Sequence, residues 1–333
     1  MSWNIIKYNI FSKTGGPDLY GTEPWTFYFK NLLLNFNIWF ILALLSLPLI
    51  LLQKLFSRRK AGESFQSGLR TLVFLSPFYM WLGIFTLQPH KEERFMYPAY
   101  PFLALNAALA LHTLLTSFGN ADPKTSLIGR IPAKVKLAVV ALGLIASVDI
   151  GLARIWGLYS GYHAPLSLYA PLAEVGGPGD TVCFGKDWYR FPSSFFLPRD
   201  MHAKFVRSEF RGLLPGEFSE ARTGFGFWSG TWLPTVGLND RNEEDAGKYV
   251  DLRNCVFLVD TQFPGKEEGL PPSEPDYAKD VERWEEVNCL PFLDAERTHF
   301  LARALWLPDW EVVPERLRRR WGKHCLLKQK RQG

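Results

Sequence analysis

Residues 37–56 read NIWFILALLSLPLILLQKLF, a run with no charge until Lys54. As an α-helix rising ~1.5 Å per residue it reaches ~30 Å, the thickness of a bilayer's hydrocarbon core. Three further stretches have the same character: Leu69 to Leu87, Pro98 to Phe118 and Val135 to Trp156. The chain is therefore expected to be a multi-span α-helical membrane protein, with about four helices within residues 37–156. Pro48 and Pro77 fall inside the first two runs and predict kinks, which membrane helices tolerate where a neighbouring group re-satisfies the freed carbonyl. Pro98 and Pro101 open the third run, where a first-turn proline does little harm.

The apolar residues crowd into the first half, so the 47% hydrophobic content of the 333 residues averages over two environments. Residues 1–36 are expected to form a lumenal or interfacial loop region. Residues 157–333, rich in Pro, Gly, Trp and charge, are expected to form a C-terminal lumenal domain of mixed α/β type. Thr181 to Phe184 and Val256 to Val259 read as short buried strands. The amphipathic segment Asp280 to Glu286 and the basic stretch Arg316 to Lys323 read as helices, and Gly265 to Tyr277 as a loop.

Orientation follows from the short connecting loops. Lys54, Arg58, Arg59, Lys60 and Arg70 flank the first connection, and Lys124, Arg130, Lys134 and Lys136 the second. Basic loops stay cytosolic, which places the N-terminal stretch, the turn Gln88 to Tyr97 and the C-terminal half in the endoplasmic-reticulum lumen. The net charge of +5 is thereby assigned to topology, and no nucleic-acid partner is expected. The first residues lack the pattern of a signal peptide, so either the first apolar run acts as the insertion signal or upstream spans precede it. All four cysteines (Cys183, Cys255, Cys289, Cys325) lie in the second half without the close pairing of a zinc or redox site. No metal is expected, and the choice between two disulfides in three possible connectivities and four free thiols stays open.

Two clusters could carry chemistry. The turn before the third span packs His90, Lys91, Glu92, Glu93 and Arg94 between apolar runs, placing three potential cations where the positive-inside bias disfavours them. Lys supplies a point charge and Arg a planar fork, both suited to a lipid-linked phosphate at the acyl boundary. The alternative is a solvated turn whose carboxylates neutralise its own cations. The second cluster runs from Gly15 to Trp25 and holds Asp18, Tyr20, Glu23 and Trp25 among turn-forming glycines and prolines. Carboxylates beside aromatic faces bind sugar hydroxyls; the alternative is an ordinary re-entrant interfacial segment. Asp149 and Arg154 read as an interface pair, and His112 as an interhelical group.

HKEERF (His90 to Phe95), preceded by YGTEPW (Tyr20 to Trp25) and NFN (Asn35 to Asn37), resembles glycosyltransferase family 22. These are the membrane-embedded mannosyltransferases of N-glycan and glycosylphosphatidylinositol assembly. GPDLYG (Gly16 to Gly21) and Glu23 before Pro24 and Trp25 point within it to the branch making α-1,2 linkages on dolichol-linked oligosaccharides. The stretches Lys186 to Ser194 and Ser208 to Pro215 resemble the lumenal domain of that branch. The resemblance implies the C-terminal part of a GT-C-type fold and an inverting transfer, in which mannose leaves dolichyl phosphate mannose for a dolichyl-diphosphate-linked oligomannose. It implies His90, Lys91 and Arg94 as donor-phosphate contacts, Glu92 and Glu93 as orienting groups, and Asp18, Tyr20, Glu23 and Trp25 as an acceptor or donor loop. The lipid-linked donor stands in place of any cofactor, and the catalytic base is expected on a lumenal loop upstream of residue 1. Dolichol-linked glycans and membrane lipids are the expected partners. A non-catalytic scaffold that binds lipid-linked glycans, and a glycosylphosphatidylinositol mannosyltransferase, are the competing readings.

Overall fold

The structure, a computed structural model, describes residues 21–56, 65–119, 129–216, 219–221, 230–232, 237, 239, 241–265, 270–308 and 310–330. It divides into two compact units, Met1–Leu152 and Ala153–Gly333.

The first unit is helical. Helix α1 (Phe27–Phe36) occupies part of the stretch expected to be a loop, and leads through Asn37 into α2 (Ile38–Phe56). The two helices meet at 115°, so the first apolar run is one arm of a bent pair and not a straight, isolated span. Asn37 makes the corner at φ 44°, a backbone region that asparagine tolerates better than most residues. Its amide oxygen accepts from the backbone N–H of Ile38 (2.6 Å) and from Ser147 Oγ (2.9 Å), and Trp39 Nε1 donates to the same hydroxyl (2.8 Å). Then follow α3 (Phe65–Leu87), a 3₁₀ stretch Glu93–Ala99, α4 (Tyr100–Gly119) and α5 (Ala133–Tyr162). Among the described residues three helical stretches are long and apolar enough to cross a membrane, Leu69–Leu87, Glu93–Phe118 and Ala133–Tyr162, or four if the bent pair counts as one span. Much apolar surface faces outward on them, for instance Leu137, Val139, Leu142 and Ile145 on α5. That is the surface lipid would cover.

Both internal prolines are compensated. Pro48 frees the carbonyl of Leu44, and Tyr79 Oη lies 3.0 Å from that oxygen and 3.0 Å from the Ala43 oxygen while accepting from the N–H of Leu47 at 3.1 Å. Pro77 frees the carbonyl of Val73, which Ser76 Oγ meets at 3.2 Å. Without water in the hydrocarbon core such groups must be satisfied from within the protein.

The second unit is built on a five-stranded sheet ordered β2-β1-β5-β7-β6, with β1 (Thr181–Phe184), β2 (His202–Phe205), β5 (Phe257–Gln262), β6 (Trp284–Leu293) and β7 (Trp321–Gln329). A separate two-stranded ribbon joins β3 (Ser219–Ala221) to β4 (Gly230–Trp232). β1 runs parallel to β2 and β5, while β7 is antiparallel to both β5 and β6. Side chains alternate between two cores. Val182, Phe184, Phe257, Val259 and Leu326 pack on Leu168, Tyr169 and Leu172, whereas Cys183, Leu258, Cys325 and Leu327 pack with Trp284 on the other side. The unit is therefore mixed α/β, and both expected strands are present.

Two expected helices are strands or turns instead. Val281 to Arg283 form a turn, and Trp284 to Glu286 begin β6; Glu315–Leu317 form a 3₁₀ turn, and β7 starts at Trp321. An amphipathic pattern and a basic stretch suggested helices in these places, but the ladder between β6 and β7 takes up the backbone from Trp284 and from Trp321 and buries Trp284. Tertiary pairing overrides weak local preference.

The cysteines form two disulfides, Cys183–Cys255 and Cys289–Cys325, which resolves the open choice between bridges and free thiols. The sheet also encloses polar groups. Asp260 pairs with Lys186 Nζ (2.9 Å), and burial pushes its carboxyl up to about 6, the nearby ammonium only partly opposing this. His324 lies 2.7 Å through Nδ1 from Thr261 Oγ1, whose own proton goes to Asp187 Oδ1 (2.8 Å). That network makes Nδ1 the protonated nitrogen, and burial holds the imidazole down at about 4.

Candidate functional site

The charged turn is made where α3 ends at Leu87 and the chain reverses into the 3₁₀ stretch from Glu93. Its partner is the segment before α1. Glu23 N–H donates to Pro89 O (3.0 Å), Lys91 Nζ donates to Glu23 O (2.8 Å) and to Gln88 O, and His90 Nδ1 lies 2.9 Å from Gly21 O. Lys91 is 6% exposed. Its ammonium thus fastens two backbone segments together, a use the sequence did not suggest.

Around Glu92 the remaining charges converge. His90 Nε2 lies 3.0 Å from Oε1, and Arg94 takes the same carboxylate in two-point fashion, Nη2 to Oε1 at 2.7 Å and Nε to Oε2 at 2.5 Å. Burial alone would push the Glu92 carboxyl up, but hydrogen bonds and charge from His90 and Arg94 more than offset this and hold it below its ordinary value. Arg94 caps the cluster with a side chain 67% exposed.

Helix α1 grips the turn from its side. Tyr28, fully buried, donates to Glu92 O (3.2 Å), while Asn31 and Asn35 donate to the two oxygens of Glu93 at 3.2 and 2.9 Å. Asn31 and Asn35 stand four residues apart and share one helix face. That spacing was the available signal for Asn31, and the sequence reading missed it and Tyr28. Glu23 contributes its backbone, and its side chain is exposed. Trp25 is 65% exposed and meets Phe29 edge-on at 5.8 Å. Asp18 and Tyr20 lie outside the described residues. Of the expected site residues, His90, Lys91, Glu92, Glu93, Arg94 and Glu23 thus belong to one bonded assembly, with Trp25 beside it.

Among the described residues one group of side chains has the spacing of metal ligands, Glu286, Cys289 and Cys325. Both sulfurs are tied in a disulfide, so no thiolate is available there.

The sequence profile of the Alg9-like mannosyltransferase family matches residues 1–198, the stretch that holds the whole turn and the helix gripping it. The chain belongs to that family. Similar curated Alg9-like proteins include the α-1,2-mannosyltransferase alg9 of Schizosaccharomyces pombe, 38% identical over 99% of this chain and 55% of its own length. The α-1,2-mannosyltransferase ALG9 of Mus musculus is 39% identical over 92% of the chain and 49% of its own, and that of Homo sapiens is 38% identical over the same shares. The chain spans about half the length of the curated relatives it matches. No solved structure matches it significantly.

Proposed function

We propose that this chain acts in α-1,2-mannosyl transfer during N-glycan precursor assembly, from dolichyl phosphate mannose to a dolichyl-diphosphate-linked oligomannose. In the step itself the bond between mannose C1 and the phosphate oxygen breaks, and a bond from C1 to an acceptor hydroxyl forms with inversion. The hydroxyl proton passes to a base, and dolichyl phosphate departs with the negative charge. Leaving-group stabilisation at a site where lipid excludes water is the part this chain's residues can supply. The observation that carries the reading is the pinned His90 to Arg94 turn, in a chain whose relatives are named α-1,2-mannosyltransferases.

In this reading Arg94 meets the donor phosphate. Arginine has five N–H donors and the pair with Glu92 uses two, so the fork can hold the carboxylate and a phosphate together. His90 and Glu92 fix the guanidinium, Glu93 fixes the turn to α1, and Lys91 adds positive charge behind it while holding Glu23 and Trp25 in place. Asp18, Tyr20, Glu23 and Trp25 are proposed to face the sugar. The apolar spans suit an endoplasmic-reticulum membrane protein, and two disulfides fit an oxidising lumen for residues 157–333.

The test is Arg94→Ala in a full-length relative, reading mannosyl transfer against donor concentration. A loss in transfer efficiency above about tenfold, equivalent to ~1.4 kcal/mol, is expected for a desolvated phosphate contact. Transfer within about twofold of the unaltered enzyme, with normal expression, would return the turn to a solvated ion-pair cluster of the kind worth ~0–1 kcal/mol.

A further inference from the structure

The second unit contains a pocket of about 350 Å³ that the transfer chemistry above does not use. That volume sits at the small end of ligand sites, which run from roughly 300 to 1,000 Å³. Its walls are aromatic: Tyr162 and Phe263 flank Phe292 with ring centroids 5.4 and 6.4 Å away, and Tyr189, 60% exposed, stands among the other lining residues.

One fixed donor enters this wall. The Arg190 guanidinium lies 4.8 Å from the Tyr189 ring centre and 4.8 Å from that of Phe292. Its Nη1 donates to the buried carboxylate of Asp187 and to Thr261 Oγ1 (3.2 Å), which locks the fork before any ligand arrives. The lining also holds two carboxylates, Asp294 and Glu296. Asp294 is 2% exposed, and its Oδ1 takes the N–H groups of Glu296 (3.1 Å) and Arg297 (3.2 Å). Asp294 Oδ2 is buried as well, without a hydrogen-bond partner among the described residues, so this carboxylate acts on the pocket through its charge. The exposed Glu296 completes the lining.

Such a site selects by exclusion. An anion would meet Asp294 and Glu296, and a cation would meet Arg190. A purely apolar ligand would desolvate the Arg190 guanidinium and the Glu296 carboxylate with nothing in return. What fits is a neutral ring with a flat C–H face and several hydroxyls that donate and accept. We infer that the pocket binds a pyranose ring of an oligosaccharide, its C–H face on the aromatic wall and its hydroxyls meeting Arg190 and Glu296. That this ring is a mannose of the lipid-linked acceptor rests on the transfer reading above.

The experiment titrates the full chain in nanodiscs with free oligomannose and, separately, with lipid-diphosphate-linked oligomannose, reading saturation-transfer NMR. Tyr189→Ala and Glu296→Gln alter exposed residues, and Arg253→Ala, on a side chain 89% exposed, serves as the variant outside the pocket. The expected result is saturable binding of both glycans, weakened roughly fivefold or more by Tyr189→Ala and also by Glu296→Gln, and unchanged by Arg253→Ala. Absence of saturable binding to the folded chain would overturn the inference, as would wild-type affinity in either pocket variant. The two readings separate cleanly. Intact transfer in Arg94→Ala together with lost glycan affinity in Tyr189→Ala sinks the donor-site proposal and supports this one; the reverse pattern overturns this one alone.

Discussion

The ammonium of Lys91 donates to the main-chain oxygen of Glu23, 2.8 Å away and 68 residues earlier in the chain. With the second bond to Gln88 O, this buried cation joins the start of the described chain to the end of α3 and holds the charged turn in one shape. The neighbouring Arg94 is held through Glu92 and keeps an exposed side chain.

The two cations should therefore fail differently when removed. Lys91→Met keeps the stem but leaves two carbonyls without their donor, which is expected to destabilise the protein by ~1–3 kcal/mol. Arg94→Ala should leave stability within ~0.5 kcal/mol of normal, as for other exposed positions, while lowering transfer. Denaturation midpoints in detergent, read beside transfer rates, check this; equal midpoints for the two variants would remove the assigned difference.

Tyr79 should be nearly irreplaceable by its closest analogue. Tyr79→Phe strips one hydroxyl and leaves the carbonyl freed by Pro48 without its donor inside the helical unit, at an expected ~1–3 kcal/mol. Restoring a helical N–H by Pro48→Ala in the same chain should recover most of the loss. Additive effects of the two substitutions in a double-mutant cycle would show that the hydroxyl and the proline are not coupled.

Acidification should reveal two opposing groups in the second unit. His324, held neutral with its value down at about 4, binds its proton more readily unfolded, so its share of stability is complete above about 6.5 and is lost as pH falls toward 4. Asp260, pushed up to about 6, protonates more readily when folded, so stability is gained as pH falls from about 6 toward 3.8. Each amounts to roughly 3 kcal/mol across its window. The native chain is expected to show a nearly flat profile from these two groups, His324→Gln a midpoint that rises on acidification, and Asp260→Asn one that falls. Parallel slopes in both variants would contradict the assignment.

If residues 157–333 are lumenal, Arg241→Thr creates an acceptor sequence at Asn239, on an exposed side chain 79% accessible at the substituted position. Microsomal translation should give a glycosylated product from this variant. An unmodified band there, with modification of a sequon placed near Arg58, would invert the topology.

The apolar runs, the buried strands at Thr181 and Phe257, and the charged turn were legible in the chain because each signal is local. Twenty apolar residues in succession, a β-branched run between turns, and five titratable residues in a row mean the same thing wherever they occur. Asp280 to Glu286 and Arg316 to Lys323 were misread because a short amphipathic pattern and a basic run do not separate helix from strand, and only the ladder with β7 and β5 reveals what Trp284 and Leu326 bury against.

The turn shows the same division within a few residues. Sequence determined that cations and carboxylates gather between two spans, since covalent order alone places them side by side. Which cation holds the fold and which stays exposed was decided by a segment almost seventy residues away, because Lys91 finds the carbonyl of Glu23 only once the chain before α1 is laid over the end of α3. The disulfide partners and the pocket of Arg190, Phe292 and Asp294 belong to that second class. A hydrogen bond or a sulfur bridge forms between groups a few ångströms apart, and the distance between residues remote in sequence is set by packing, which no local pattern encodes.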